Sequence, residues 1–235
     1  MREIDMRKTY VRENDVRKSD MRNIAFVFAL FFALVMLVAC SSSTSNTSSS
    51  GNNAESKPAQ TAPKPPELAT GREEFQRLFA TARGWAGDAQ PFRLQSDTTS
   101  DADGHDGKAG VWRASFASPS RGSIKTWLWS GIGDPKDRGI TPGSEDTYNP
   151  SNSSTQTFEV AFIKKDSNDA FDVAQKHGGD KLLKENPKLP VFYVLDWQAR
   201  ENTLVWHVIY GQNRDDAKLR IAVNATTGAF IKKEL

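Results

Sequence analysis

The chain has a single cysteine, Cys40, among its 235 residues, so no disulfide can form within it. Histidine is also scarce: His105, His177 and His207 fall in a loop, near a helix end and in a strand, which leaves no cluster of imidazoles for a metal. No apolar run is long enough to cross a bilayer. The longest, Ile24 to Ala39, has sixteen residues, where roughly 20 are needed. Neither sign of charge dominates. Thirty-one Lys and Arg oppose 29 Asp and Glu, and beyond residue 39 the balance is 24 against 24. That neutrality gives no electrostatic basis for a nucleic-acid partner. The chain contains no G-x-S-x-G elbow. Gly131-Ile-Gly133-Asp-Pro135 lacks the Gly-Lys-Ser/Thr ending of a phosphate loop, and Pro135 removes a backbone donor that a phosphate would need. These absences lead to the expectation of a protein that is not an enzyme and carries no cofactor.

What is present begins with the apolar run. Its length and its flanking Arg22 fit the h-region of a secretory signal better than an anchor. It ends in Leu37-Val38-Ala39-Cys40, which resembles the lipobox of bacterial lipoproteins. The resemblance implies cleavage before Cys40, lipidation of its thiol, acylation of the new N-terminus and attachment to the membrane by acyl chains. Residues 1–20 are long and rich in both charges for a signal peptide, and Met21-Arg22-Asn23 would make an ordinary short n-region, so the expected start is Met21. Residues 41–66 contain no apolar side chain larger than alanine. Such a stretch has nothing to offset the entropy of ordering and reads as a disordered tether, reaching roughly 30 Å. Ser41 after the lipidated position would favour the outer membrane if enterobacterial sorting rules apply.

Folded sequence is expected from Glu67. Thr70-Gly-Arg-Glu73 has the form of a capping box, Phe75, Leu78, Phe79 and Ala82 follow at helical spacing, and Gly84 supplies a stop. Asp166 or Ser167 opens a second helix, with Ala170, Val173, Ala174 and His177 on one face and Gly178 closing it. Alternation places Trp112, Ala114 and Phe116 on one strand face, and Leu204, Trp206, Val208 and Tyr210 on another. Val111-Trp112 and Val205-Trp206 are 94 residues apart, as are Gly84 and Gly178. SIKTWLW (123–129) and KLRIAVN (218–224) follow at an offset of 95, which matches Ile124, Thr126 and Leu128 to Leu219, Ile221 and Val223. The pentapeptide AFIKK occurs at 161–165 and again at 229–233, 68 residues apart. The expectation is an α+β protein of two tandem α-β-β-β-β units, 67–165 and 166–235, the first carrying a loop insertion at 131–155.

The second unit resembles the PepSY family through Trp206-His-Val208 and through Ile221-Ala-Val223-Asn224-Ala225-Thr226-Thr227-Gly228. The latter looks like that family's closing hairpin, with Asn224 where Asp is more usual. Asn can satisfy its own loop backbone and Gly228 supplies a positive φ, so Asn224, Thr227 and Gly228 form the turn motif. The resemblance implies a non-catalytic helix-on-sheet module of secreted and envelope proteins, some of which bind or restrain peptidases.

Two clusters invite a site reading. Asp101, Asp103 and Asp106 sit among glycines like a calcium loop, but an EF-hand starting at Asp101 would need Gly and Glu where the chain has Asp106 and Trp112, so a solvated hairpin loop is the expectation. His207 shares its strand face with Val205 and Ile209, has Arg113 as its counterpart in the first unit, and reads as a solvated or rim position. Trp127 and Trp129 lie opposite Ile124 and Leu128, at positions matched to Ala222 and Asn224, which makes them either covered by the insertion or an exposed partner-binding patch. The function expected is a lipid-anchored envelope protein that binds a protein partner, with a structural subunit of an envelope assembly as alternative and an envelope hydrolase last.

Overall fold

The structure, a computed structural model, describes residues 65–99 and 102–235. Cys40, the apolar run, the tether up to residue 64 and Asp101 lie outside the described residues. Among the described residues no helix is long and apolar enough to cross a membrane.

Eight strands form one antiparallel sheet: β1 (Gln90–Asp97), β2 (Val111–Ser118), β3 (Ser123–Ser130), β4 (Gly139–Thr147), β5 (Val191–Gln198), β6 (Thr203–Gly211), β7 (Ala217–Asn224) and β8 (Phe230–Lys233). Their order is β8-β7-β6-β5-β1-β2-β3-β4, two meanders joined where β1 pairs antiparallel with β5 at Arg93–Asp196, Leu94–Leu195 and Gln95–Val194. α1 (Gly71–Trp85) and α2 (Ser167–Ala174) pack on the same face, α1 against β1 to β3 and α2 against β6 and β7. Period-two alternation supplies that face. Leu94, Trp112, Ala114, Phe116, Tyr193, Leu195, Trp206, Val208, Tyr210, Ile221 and Val223 are all buried beneath the helices in one core. The fold is therefore α+β and dominated by its sheet.

The helix starts differ from the sequence expectation. Thr70 makes no side-chain cap; instead Ser167 Oγ accepts from Gly71 N–H and Asp166 Oδ1 from Arg72 N–H, each at 2.8 Å. Asp166 also caps its own helix in a capping box with Asp169, so one short segment terminates two helices. Gly71 is needed for closeness: a Cβ there would stand 2.6 Å from the Trp206 ring and 2.9 Å from Trp112. Those two indoles meet edge-on at 6.4 Å and are fixed in matching ways, Trp112 Nε1 donating to Ala69 O at 2.9 Å and Trp206 Nε1 to Lys165 O at 3.0 Å. Gly84 does not stop α1, which runs one residue further and ends at Ala86, nor does Gly178 end the second helix. The chain kinks at His177–Gly178, where Gly178 has φ 121°, and continues as α3 (Asp180–Glu185).

Three further expectations are corrected. The 131–155 segment is not all loop: Gly139–Thr147 is edge strand β4, paired along β3 from Ser123–Thr147 to Ser130–Gly139. Its largely exposed side chains gave no alternation to read, and Pro142 is tolerable because an edge strand has one unpaired side. The AFIKK copies do not share a structure. Residues 230–233 are β8, whereas Val160–Phe162 is a single 3-10 turn whose exit is set by Lys164 and Lys165 N–H donating to Ala225 O. Finally, the inward face of β3 is the opposite of the one expected, with Ile124, Thr126 and Leu128 turned away from the core. Trp112 pairs with Trp129 as Trp206 pairs with Val223, so the offset stays at 94 residues and the core positions of β3 are Trp127 and Trp129.

The segment before β2 is no solvated hairpin loop. Asp103 O accepts Val191 N–H at 2.7 Å, Tyr193 Oη donates to Gly104 O at 2.7 Å, and Ser167 Oγ donates to Gly107 O at 2.6 Å. Gly104, at φ 82°, lies so close to the Val191 carbonyl that any side chain would overlap it. The glycines that looked like calcium-loop punctuation are the contact points of a plug seated between the two meanders.

Candidate binding face

The face of the sheet opposite the helices carries the most organised polar chemistry in the described chain. Alternation that sends Leu94, Tyr193, Leu195, Trp206 and Val208 inward sends Arg93, Gln95, Asp97, Val194, Asp196, His207 and Ile209 outward. Arg93, Gln95, Asp196 and His207, with Arg214 and Arg220, line a shallow cavity of about 270 Å³ that straddles the β1–β5 seam, and Asp97 and Arg113 lie beside it on the same face.

His207 is its centre. Nδ1 lies 2.8 Å from Glu234 Oε2 and Nε2 lies 3.3 Å from Asp196 Oδ1, so both ring nitrogens face carboxylates. The small Ala222 beside it on β7 leaves room for a carboxylate from the far side of that strand to reach across. Burial alone would lower the imidazole pKa, but the hydrogen bonds and charges of Asp196 and Glu234 outweigh it and push it up to about 9. The same exchange holds both carboxyls below their ordinary range: burial raises them, and the His207 bond and charge more than reverse it. Asp196 is further secured by Gln198 Nε2 at 2.6 Å and Arg93 at 3.2 Å. A second cluster centres on Asp97, which is shared by Arg113 at 2.9 Å and Arg214. Arg214 also lies over the Phe192 ring, 5.9 Å from its centroid.

Chemically, an imidazolium clamped by two carboxylates has no lone pair with which to accept a proton at neutral pH. What the arrangement does is hold β5, β6 and the C-terminal segment together and present charged groups in fixed positions. The expectation that His207 is solvated is corrected: it is 8 % exposed. Its partners were not legible, since only the strand register brings Asp196 and Glu234 to it.

The remaining predicted residues are dispersed. Trp127 and Trp129 are 3 % and 4 % exposed, so they do not form an exposed patch. Trp127 packs edge-on to Trp85 on α1 at 5.4 Å and to Phe116 at 5.8 Å, because it points into the core rather than away from it. The Asn224 turn forms as expected: Asn224 Oδ1 accepts Thr226 N–H at 2.8 Å and Thr227 N–H at 2.9 Å, Thr227 Oγ1 accepts Ala229 N–H at 3.2 Å, and Gly228 has φ 78°. Asp103 accepts the His105 N–H, while Asp106 sits in the plug at φ 60°. Among the described residues the one carboxylate group dense enough for a metal is Glu67, Glu73 and Glu74, and Arg77 lies within 3.3, 3.2 and 3.0 Å of them. A guanidinium already supplies the charge a cation would bring.

Comparison of the chain with protein-family models, with curated proteins and with solved structures finds no match.

Proposed function

We propose that this is a membrane-anchored envelope lipoprotein, lipidated at Cys40, whose folded part is a non-catalytic protein-binding module that docks its partner on the open face of the sheet. The observation that supports this most is the one-sidedness of the sheet. Helices cover one face, while the other, continuous across the seam, offers Arg93, Arg113, Arg214, Arg220 and the clamped His207 in fixed positions. Aligned, partly buried ionic groups set orientation and partner choice.

The proposal includes the finer architecture, two PepSY-like units in tandem. The mirrored strand order outward from β1–β5, the matched indole-to-carbonyl bonds of Trp112 and Trp206, and the constant 94-residue spacing of core pairs support duplication. Acyl chains add about 0.8 kcal/mol per buried methylene, and two or three suffice to hold the protein at the bilayer without protein contacts. A partner of peptidase type is what the resemblance implies, and a structural subunit of an envelope assembly is the second reading. Purified protein added to envelope peptidases slows cleavage on the first reading, whereas on the second it co-purifies stoichiometrically with other envelope proteins and leaves cleavage unchanged. Mass spectrometry of the exported protein that finds residue 40 unmodified sinks the anchor.

A further inference from the structure

Where β5 turns into β6, two cavities adjoin at the rim of the sheet, of about 340 Å³ and about 250 Å³, and both are lined by Trp197 and Gln156. The larger lies within the ~300–1,000 Å³ typical of ligand pockets. The aromatic residue they share is Trp197. Trp197 packs on Phe162, which lines the smaller cavity, with ring centroids 5.6 Å apart, and Phe162 is 40 % exposed, one of four exposed large apolar side chains among the described residues. Beside this aromatic pair stand neutral polar groups, Ser154 in the larger cavity, Asn202 in the smaller and Gln156 in both, among charged residues that include Glu159 in the smaller. Gln156 and Asn202 are exposed residues at the groove, with no side-chain hydrogen bond to another described residue.

Of the charges nearby, Glu159 in the smaller cavity and Arg200 in the larger stand outside ion pairs among the described residues, and the rest are matched. Lys232 is bonded to Glu201 at 2.6 Å and Arg93 to Asp196 at 3.2 Å, leaving Arg200 as the cation on this rim outside an ion pair. A strongly anionic ligand would have to break those pairs, and a purely apolar one would strand the amides. A sugar ring meets both conditions. Its flat faces carry C–H groups that stack on an aromatic surface, and its edge carries hydroxyls that both donate and accept, as primary amides do. We propose that this groove binds an oligosaccharide, one ring stacked on the Trp197–Phe162 wall and its hydroxyls held by Gln156, Asn202 and Ser154. The two adjoining cavities fit consecutive sugar units. This goes beyond the protein-docking face, which it borders at Arg93 and Asp196.

The test is calorimetric titration of the full chain, in detergent, with tetramers of N-acetylglucosamine and of glucose, and with an oligoglutamate peptide as rival. Saturable binding of at least one tetrasaccharide is expected, weakened about tenfold or more in Trp197→Ala. Gln156→Ala, at an exposed position, should weaken it several-fold with an unchanged melting temperature, which keeps the test valid if the tryptophan variant folds poorly. No saturable heat with either sugar, wild-type affinity in both variants, or tighter binding of the peptide than of either sugar would overturn the proposal.

Discussion

His207 shows how a single side chain in this protein gets its properties from pairing rather than from its own chemistry. Its folded pKa of about 9 lies above the ordinary value of 6.5, so the stability it contributes is fully present below pH 6.5 and is lost as pH rises through 9. Asp196 and Glu234, held low, contribute stability that is present above the ordinary carboxylate range and is lost in acid. Unfolding free energy should therefore decline between pH 6.5 and 9, by at most about 3 kcal/mol, and His207→Gln should flatten that slope. Chemical denaturation across this range measures it; an unchanged slope in the variant means the histidine is not clamped. Gly71 gives a second residue-scale prediction. Gly71→Ala drives a methyl into both central indoles and should cost about 1–3 kcal/mol, although alanine is the better helix former, and a rise in melting temperature contradicts the packing described.

Among the elements, Asp166 and Ser167 carry the joint between the helices. Asp166→Ala removes the cap of α2 and an acceptor for α1 together, so a loss near 2 kcal/mol is expected, the upper end for a single cap. The same variant should speed hydrogen exchange at Arg72 as well as at the start of α2, and exchange altered at only one helix refutes the shared cap. Trp127→Ala should cost about 3–5 kcal/mol and leave partner binding unaffected in the fraction that folds.

Legibility in the sequence also divides by element. The Trp112 strand could be read because its outward neighbours Arg113 and Ser115 are polar, and the Trp206 strand because it repeats the Val-Trp pair 94 residues on. SIKTWLW could not, since Ile124 and Leu128 on one face compete with Trp127 and Trp129 on the other, and only pairing across Trp112 decides. Strand β4 was invisible because an exposed edge strand is held by backbone bonds and needs no apolar alternation. AFIKK misled for the converse reason: five matching side chains do not fix a conformation when the backbone partners differ. The open face shared that fate. Arg113 and His207 were visible as polar strand residues, but the bonds to Asp97, Asp196 and Glu234 depend on register between strands distant in sequence.

At the scale of the molecule, the sheet separates two tasks. One face takes the helices, the indole pair and the plug and holds the two meanders together, while the other keeps its charges fixed and uncovered by any helix. On the proposed function, the anchor sets location and the one-sided sheet sets the partner. That assignment is tested most directly by photo-crosslinking in whole cells, with the reactive amino acid placed at Gln95 on the open face or at Glu73 on the exposed surface of α1. The account predicts a discrete adduct with one envelope protein from position 95 and none from position 73. Adducts from position 73 alone, or the same pattern from both, would contradict it.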